Sequence, residues 1–365
     1  MTTQFPTTQT PARLQPKRKH KPGIRQLSAL NFSLLVLLWL FEQFVAENWR
    51  HTTIFIYAPQ HFFAIPTLFL LVASLCKRRG KVAIFNALTA VCFAVFFLGW
   101  NVPLRSWMPQ AQARDISSTR LRSLRVMTFN IECGAFGTQK IAQAVNAQNP
   151  DILCLQKTRG ALTRKNGALN QAPDPISDLR KQLSPNYYMA RAHEVTTFSR
   201  FPIVSQEVVL MPLATGRAIL QTQLNVRGKM LTVFNAHISM TELTAREKQR
   251  DSRMPRVLQF GGSSRTRQAQ VDILLKETAK TRTPFLVCGD FNTPPRGKVY
   301  RSLARHMTDS FRAAGWGSGF SFRSDWPLMR IDYIWTSSQL RVLDCQIPNV
   351  HASDHRPCVA DLKMG

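Results

Sequence analysis

Polar side chains that could do chemistry recur in this chain at the ends of short β-branched runs: Asn130 with Glu132, Gln156 with Lys157, Asn235 with His237, Asp290 with Asn292, then Asp332, and Asp354 with His355. Three of these pairs are spaced i, i+2. In extended chain that spacing puts both side chains on one face, so oxygen-rich groups from several strand ends can meet in one cleft. Carboxylates and amides beside imidazoles suit a hard cation such as Mg2+ or Mn2+ together with a phosphoester. The oxygens ligate the metal, and the imidazoles move protons and neutralise charge. A thiolate metal site is not expected, because no two of the 7 cysteines form a CxxC pair. Cys133, Cys154, Cys288 and Cys358 each lie beside one of these motifs and read as small apolar strand residues.

The elements that must hold these residues begin at Leu124. LRVMTFN, IAQAVNAQ, PDILCLQ, MLTVFNAHI, QAQVDILLKETA and FLVCGDFN alternate strand-like and helix-like patterns, which implies an α/β or mixed two-sheet domain over residues 123–365. The first 104 residues differ in kind: no acidic residue occurs between Glu47 and Asp115, and three apolar stretches predict membrane spans at about 26–46, 58–76 and 82–102. The uncharged run Val82–Leu104 would make roughly 35 Å of helix. Pro59 and Pro66 predict a kink or late start in the second span. Glu42 in the first is tolerable near an interface.

Lys and Arg in the short flanks set the orientation. Lys17, Arg18, Lys19, Lys21 and Arg25 precede the first span, and Lys77, Arg78, Arg79 and Lys81 join the second to the third. Both groups belong on the cytoplasmic side, so three spans would deliver the large domain outside a plasma or inner membrane. Residues 1–25 read as a disordered basic cytoplasmic leader, and 105–122 as a linker. With 48 Lys and Arg against 21 Asp and Glu, a charge of +27, anionic partners are expected: phosphate esters, an acidic membrane surface or nucleic acid. No protein partner is expected, and 44% hydrophobic residues exclude wholesale disorder. A run of Arg and Lys from Arg246 to Arg267 could cover the cleft and grip a phosphate.

In order along the chain, TFNIE, PDILCLQ, FSRFPI, FNAHI, CGDFNTPP, RIDYIW and SDHRP resemble the motifs of the endonuclease/exonuclease/phosphatase superfamily of metal-dependent phosphoesterases, from about Arg125 to Leu362. The chain also resembles a membrane-anchored branch with three N-terminal spans, linked to polyprenyl-phosphate biology. The resemblance implies a four-layer α/β (α+β) sandwich, two packed, mainly antiparallel sheets flanked by helices and preceded by the three-helix transmembrane region. It implies that Asp290 helps activate water and that Asn292 holds a phosphate oxygen. His355, oriented by Asp332, would stabilise or protonate the phosphoryl group, and His237 would bind the phosphate from the other side. Asn130 and Asp354 would sit at the metal.

One departure stands out: where the family strand ends LQE, with Glu a principal metal ligand, this chain reads LQK at Lys157. An ammonium about 4 Å from a dication costs several kcal/mol even at an effective dielectric near 20. Glu132 is then the expected substitute ligand. The activities implied are an outward-facing, divalent-metal-dependent phosphoesterase acting on a lipid-linked phosphate or pyrophosphate, with polyprenyl carriers among the candidates. The alternatives are a membrane-tethered endonuclease and an anion-binding module impaired by Lys157.

Overall fold

The computed structural model describes residues 22–49, 52–103, 123–160, 162–165, 168–171, 173–183, 187–212, 217–239 and 264–365. Most of the leader, all of the linker and most of the basic run after Arg246 fall outside them.

Four helices come first: α1 (Ile24–Phe44), the single turn α2 (Ile54–Tyr57), α3 (His61–Cys76) and α4 (Gly80–Phe96). The outer domain follows with β1 (Leu124–Asn130), α5 (Thr138–Gln148), β2 (Ile152–Gln156), a small hairpin β3 (Leu162–Lys165) and β4 (Ala168–Gln171), α6 (Pro175–Gln182), β5 (Tyr188–Ala192) and β6 (Val195–Ser199). Then come β7 (Ile203–Leu210), β8 (Ala218–Val226), β9 (Lys229–His237), α7 (Ser264–Lys280), β10 (Phe285–Asp290), α8 (Lys298–Ala304), β11 (Thr308–Asp309), α9 (Ser310–Ala314), β12 (Asp332–Thr336), β13 (Leu340–Gln346) and β14 (Cys358–Met364).

The strands form two six-stranded sheets, ordered β13-β14-β1-β2-β6-β5 and β11-β12-β10-β9-β8-β7. Each is antiparallel except for one central parallel pair, β1 with β2 and β9 with β10. Period-two alternation explains the layers. Val126, Leu231, Val233, Leu286, Cys288 and Ile334 fill the space between the sheets, with Cys154 and Cys358 as the small apolar residues expected there. Met127, Phe129, Leu153 and Leu155 face the other way onto Ile141, Val145 and Leu179 of α5 and α6. Phe234, Val287 and Trp335 do the same against Val271, Leu274 and Leu303 of α7 and α8. The expected sandwich of two sheets between helices is present.

The N-terminal helices differ from the expected spans in length. Only α1, with 21 residues and a mean hydropathy of 1.6, is long and apolar enough among the described residues to cross a membrane; α3 and α4 are shorter apolar helices. The third stretch stops being helical at Phe96, where a turn precedes Gly99 in the left-handed region, and the second starts only at His61. The burial pattern of these helices is inverted relative to a soluble bundle: Asn86 donates to Ser28 Oγ and Ser74 Oγ at 3.0 Å each, and Asn31 to Thr67 at 2.9 Å. Leu37, Phe69, Leu88 and Val91 point outward.

Helices and domain also touch. Glu42 is buried 3.5 Å from Arg296, whose guanidinium also donates to the carbonyls of Phe97 and Ile56. Asn101 donates to Phe311, Arg312 and Gly315 carbonyls.

Candidate active site

Strand register builds one row of site residues. Asp290, the last residue of β10, lies opposite His237 on β9 and Asp332 on β12. All three continue the inter-sheet face below Cys288, Asn235 and Ile334, so their side chains emerge where the hydrophobic layer ends. Asn130, at the same level of the facing sheet, donates its amide to Asp290 Oδ2 at 2.9 Å and joins the two sheets. That register needs an intimate β9–β10 pair, and Gly289 provides it: at φ 153° a Cβ would stand 1.8 Å from the Ala236 carbonyl oxygen.

Asp290 Oδ2 is a hub. Besides Asn130 it lies 3.5 Å from His237 Nε2 and 3.7 Å from His355 Nε2. A second carboxylate stands behind each imidazole: Asp332 Oδ2 is hydrogen-bonded to His355 Nδ1 at 2.8 Å, and Glu194 Oε1 lies 3.1 Å from His237 Nδ1 as a close charged neighbour outside hydrogen-bond geometry. Asp290 Oδ1 accepts the backbone N–H of Asn292. Asp290, Asp332, His237 and His355 are all buried.

Burial alone would lower the His355 pKa, but the charges of Asp332 and Asp290 beside it raise it to about 9, so it is an imidazolium at neutral pH. Burial, with Arg217 nearby, outweighs the carboxylates at His237 and lowers its pKa. Burial works to raise Asp290, yet the charges of His355 and His237 and the hydrogen bonds from Asn292 and Asn130 leave it lowered. Asp332 is raised, by burial first. The site therefore pairs an acid, His355, with an ionised carboxylate, Asp290, through one oxygen.

The same-face argument holds for Asn235 and His237, which sit inside β9, and fails at the other two pairs. β1 ends at Asn130, and Glu132 begins a 3-10 turn with φ 43°. Asn292 has left β10 with φ 47°, and its amide donates to the Ile238 carbonyl. Glu132 is therefore corrected from a strand-face ligand to a turn residue whose carboxylate is paired with the Lys157 ammonium. Burial opposes charge on Lys157, but the hydrogen bond and charge of Glu132 raise its pKa. Asp354 is partly exposed at the rim, 4.0 Å from His355 Nε2, and accepts from Ser353 Oγ.

Glu194 and Arg217 are site residues the sequence did not single out. Arg217 pairs with Glu194 at 3.1 Å and donates to the His237 carbonyl at 3.0 Å. Glu194 sits in the β5–β6 turn, and only the pairing of distant strands brings it to His237.

The donor set can be tested for a dication. Counting each acid as ionised, five carboxylates (Glu132, Glu194, Asp290, Asp332, Asp354) face three cations (Lys157, Arg217, His355), an excess of two negative charges. Asp332 Oδ1 is buried with no hydrogen-bond partner among the described residues. A phosphate cannot enter that excess without a cation, so the residues fit a hard divalent ion of the oxygen-ligated kind. Asp290, Asp332 and His355 approach closely enough to share an ion. His355, however, donates to the carboxylates as an imidazolium and is a poor ligand in that state.

The chain matches the model of the Endonuclease/Exonuclease/phosphatase family over residues 127–355. Among curated proteins no sequence match was found. Solved structures with the same fold include an endonuclease/exonuclease/phosphatase from Beutenbergia cavernae DSM 12333, 22% identical with a TM-score of 0.51, covering 67% of this chain and 72% of that one. Another, from Bacteroides vulgatus, is 17% identical with a TM-score of 0.51, covering 67% and 99%. A mannosyl-6-phosphatase of Bacteroides thetaiotaomicron VPI-5482 is 16% identical with a TM-score of 0.50, covering 66% and 99%.

Proposed function

The chain belongs to the endonuclease/exonuclease/phosphatase family, and on that premise we propose that it hydrolyses phosphate esters by direct attack of water at phosphorus. The observation that carries this reading is the shared oxygen: Asp290 Oδ2 accepts the Asn130 amide and lies 3.5 and 3.7 Å from the Nε2 atoms of two imidazoles. A water beside Asp290 loses its proton to that carboxylate as its oxygen bonds to phosphorus. The ester P–O bond breaks, and His355 gives its Nε2 proton to the departing oxygen. Asp332 keeps the His355 ring in place and stabilises its charge. His237, in the tautomer with its proton on Nε2, donates to a phosphoryl oxygen from the opposite side. Asn130 fixes the Asp290 carboxylate.

Asp354 and Asn130 would hold the divalent ion, which when bound supplies charge neutralisation at phosphorus. Asn292 then serves mainly to fix Asp290 through its N–H. Phosphate release from a soluble monoester, compared between the natural chain and Asp290→Asn, tests the reading. Loss of release in the variant supports it, and equal release contradicts it.

The finer reading is a membrane-anchored enzyme facing the extracytoplasmic side and acting on lipid-linked phosphates. It is supported by the apolar length of α1 and by polar residues turned inward and Leu and Phe outward in the helices. Detergent-dependent extraction from membranes tests it.

A second reading, a silent anion-binding module, is favoured by one observation: the Lys157–Glu132 pair occupies carboxylate that a metal would otherwise use. Failure of the natural chain to release phosphate from any ester while still binding inorganic phosphate would select it.

A further inference from the structure

Helices and domain enclose a cavity of about 580 Å3, away from the acid–imidazole cluster, whose walls divide by chemistry. One side is Trp39, Phe96 and Phe97, at the domain ends of α1 and α4; the other carries Arg301, Arg305 and Arg312. The same three aromatics line a second cavity of about 250 Å3, almost wholly apolar, between α1 and α4. The two adjoin, and together they pass from an apolar groove in the helices to a cationic chamber at the domain.

The arginines of the chamber divide into those already partnered and those that are not. Arg296 is paired with Glu42, and Arg330 with Asp309 at 2.7 Å. Arg301 is tied to the side chain and carbonyl of Gln43 at 3.0 Å each. Glu47 also faces this end, but its carboxylate accepts the backbone N–H of Lys298. Arg305 and Arg312 are exposed, and their side chains make no hydrogen bond or ion pair among the described residues. Arg305 follows Arg301 by four residues at the end of α8, so two guanidinium groups share one helix face. Like charges gathered at the mouth of an apolar groove repel one another unless an anion lies between them.

We propose that the joined cavities bind one anionic lipid, with its apolar chain between α1 and α4 and its phosphate against Arg305 and Arg312. The inference rests on the reading that these helices lie in a bilayer, and not on catalysis. Arginine suits the task, since its planar fork can give paired hydrogen bonds to phosphate oxygens. The site would hold the domain against the lipid surface.

The test uses the full chain in detergent micelles, with retention of phosphatidic acid against phosphatidylcholine read by native mass spectrometry. The natural chain is expected to retain phosphatidic acid preferentially. The double variant Arg305→Ala, Arg312→Ala should weaken that retention at least about tenfold. Cys92→Phe, which fills the apolar groove from an exposed helix position, should weaken it as well. Retention unchanged in both variants overturns the proposal. Inorganic phosphate bound as tightly as phosphatidic acid would overturn the lipid assignment in favour of a free-phosphate site. Asp290→Asn should leave retention untouched while removing hydrolysis, whereas a natural chain that retains lipid and hydrolyses nothing contradicts the catalytic reading alone. Release of the natural chain from membranes without detergent would contradict the bilayer reading separately.

Discussion

His237 and His355 direct their Nε2 atoms at one oxygen, Asp290 Oδ2, from 3.5 and 3.7 Å. Each ring is backed by a different carboxylate, Glu194 or Asp332. The arrangement looks balanced, yet the two rings differ in charge: the charges of Asp332 and Asp290 raise His355 to about 9, whereas burial, with Arg217 nearby, lowers His237. One ring is therefore an acid, and the other a neutral hydrogen-bonding group.

Replacing Asp332 by Asn removes the charge that holds His355 as an imidazolium. Activity, read as kcat/KM for a soluble phosphate ester, should fall roughly 100-fold or more. Its high-pH limb should move to lower pH. Glu194→Gln should act on His237 instead, leaving that limb where it is.

The stability of the domain should depend on pH through His355. Its folded pKa, about 9, lies above the ordinary 6.5, so its contribution is fully present below about 6.5 and is lost as pH rises through about 9. Denaturant midpoints of the natural chain should decline over that window. In His355→Asn this part of the decline should vanish.

Lys157→Glu would remove the ammonium that pairs with Glu132 and place a second carboxylate beside it. The divalent-ion concentration giving half-maximal hydrolysis should drop by about tenfold or more, since several kcal/mol of repulsion become attraction. A large rise in maximal rate as well would mark the natural chain as an impaired enzyme.

Gly289→Ala should prevent the β9–β10 register from forming. The added methyl would meet the Ala236 carbonyl at 1.8 Å, at a φ that side-chain-bearing residues rarely adopt. A loss of about 3 kcal/mol or more is expected, seen as a fall in Tm or a failure to fold.

Much of this site is legible along the chain because its residues cap strands whose alternation is visible. Val126, Thr128 and Asn130 share a face, as do Val233, Asn235 and His237, so hydrophobic periodicity alone points Asn130 and His237 toward the same layer. The periodicity stops carrying information where the strand stops. Glu132 and Asn292 lie two residues beyond strand residues, but left-handed backbone turns them out of the pleat, and nothing in a side-chain pattern announces a positive φ at a non-glycine. Glu194 is hidden for another reason. It lies in a turn, and its value comes from His237, which only sheet pairing brings within 3.1 Å. The helices show the same limit: Val82–Leu104 is uncharged throughout, but its helix ends at Phe96, and Asn101 turns back to hydrogen-bond the domain.

The most direct measurement is phosphate release from a soluble phosphate monoester by the detergent-purified full chain, with Mg2+ or Mn2+ titrated in, beside Asp290→Asn. A metal-dependent release that disappears in the variant is the predicted result. Release that survives the loss of the Asp290 carboxylate would contradict the account.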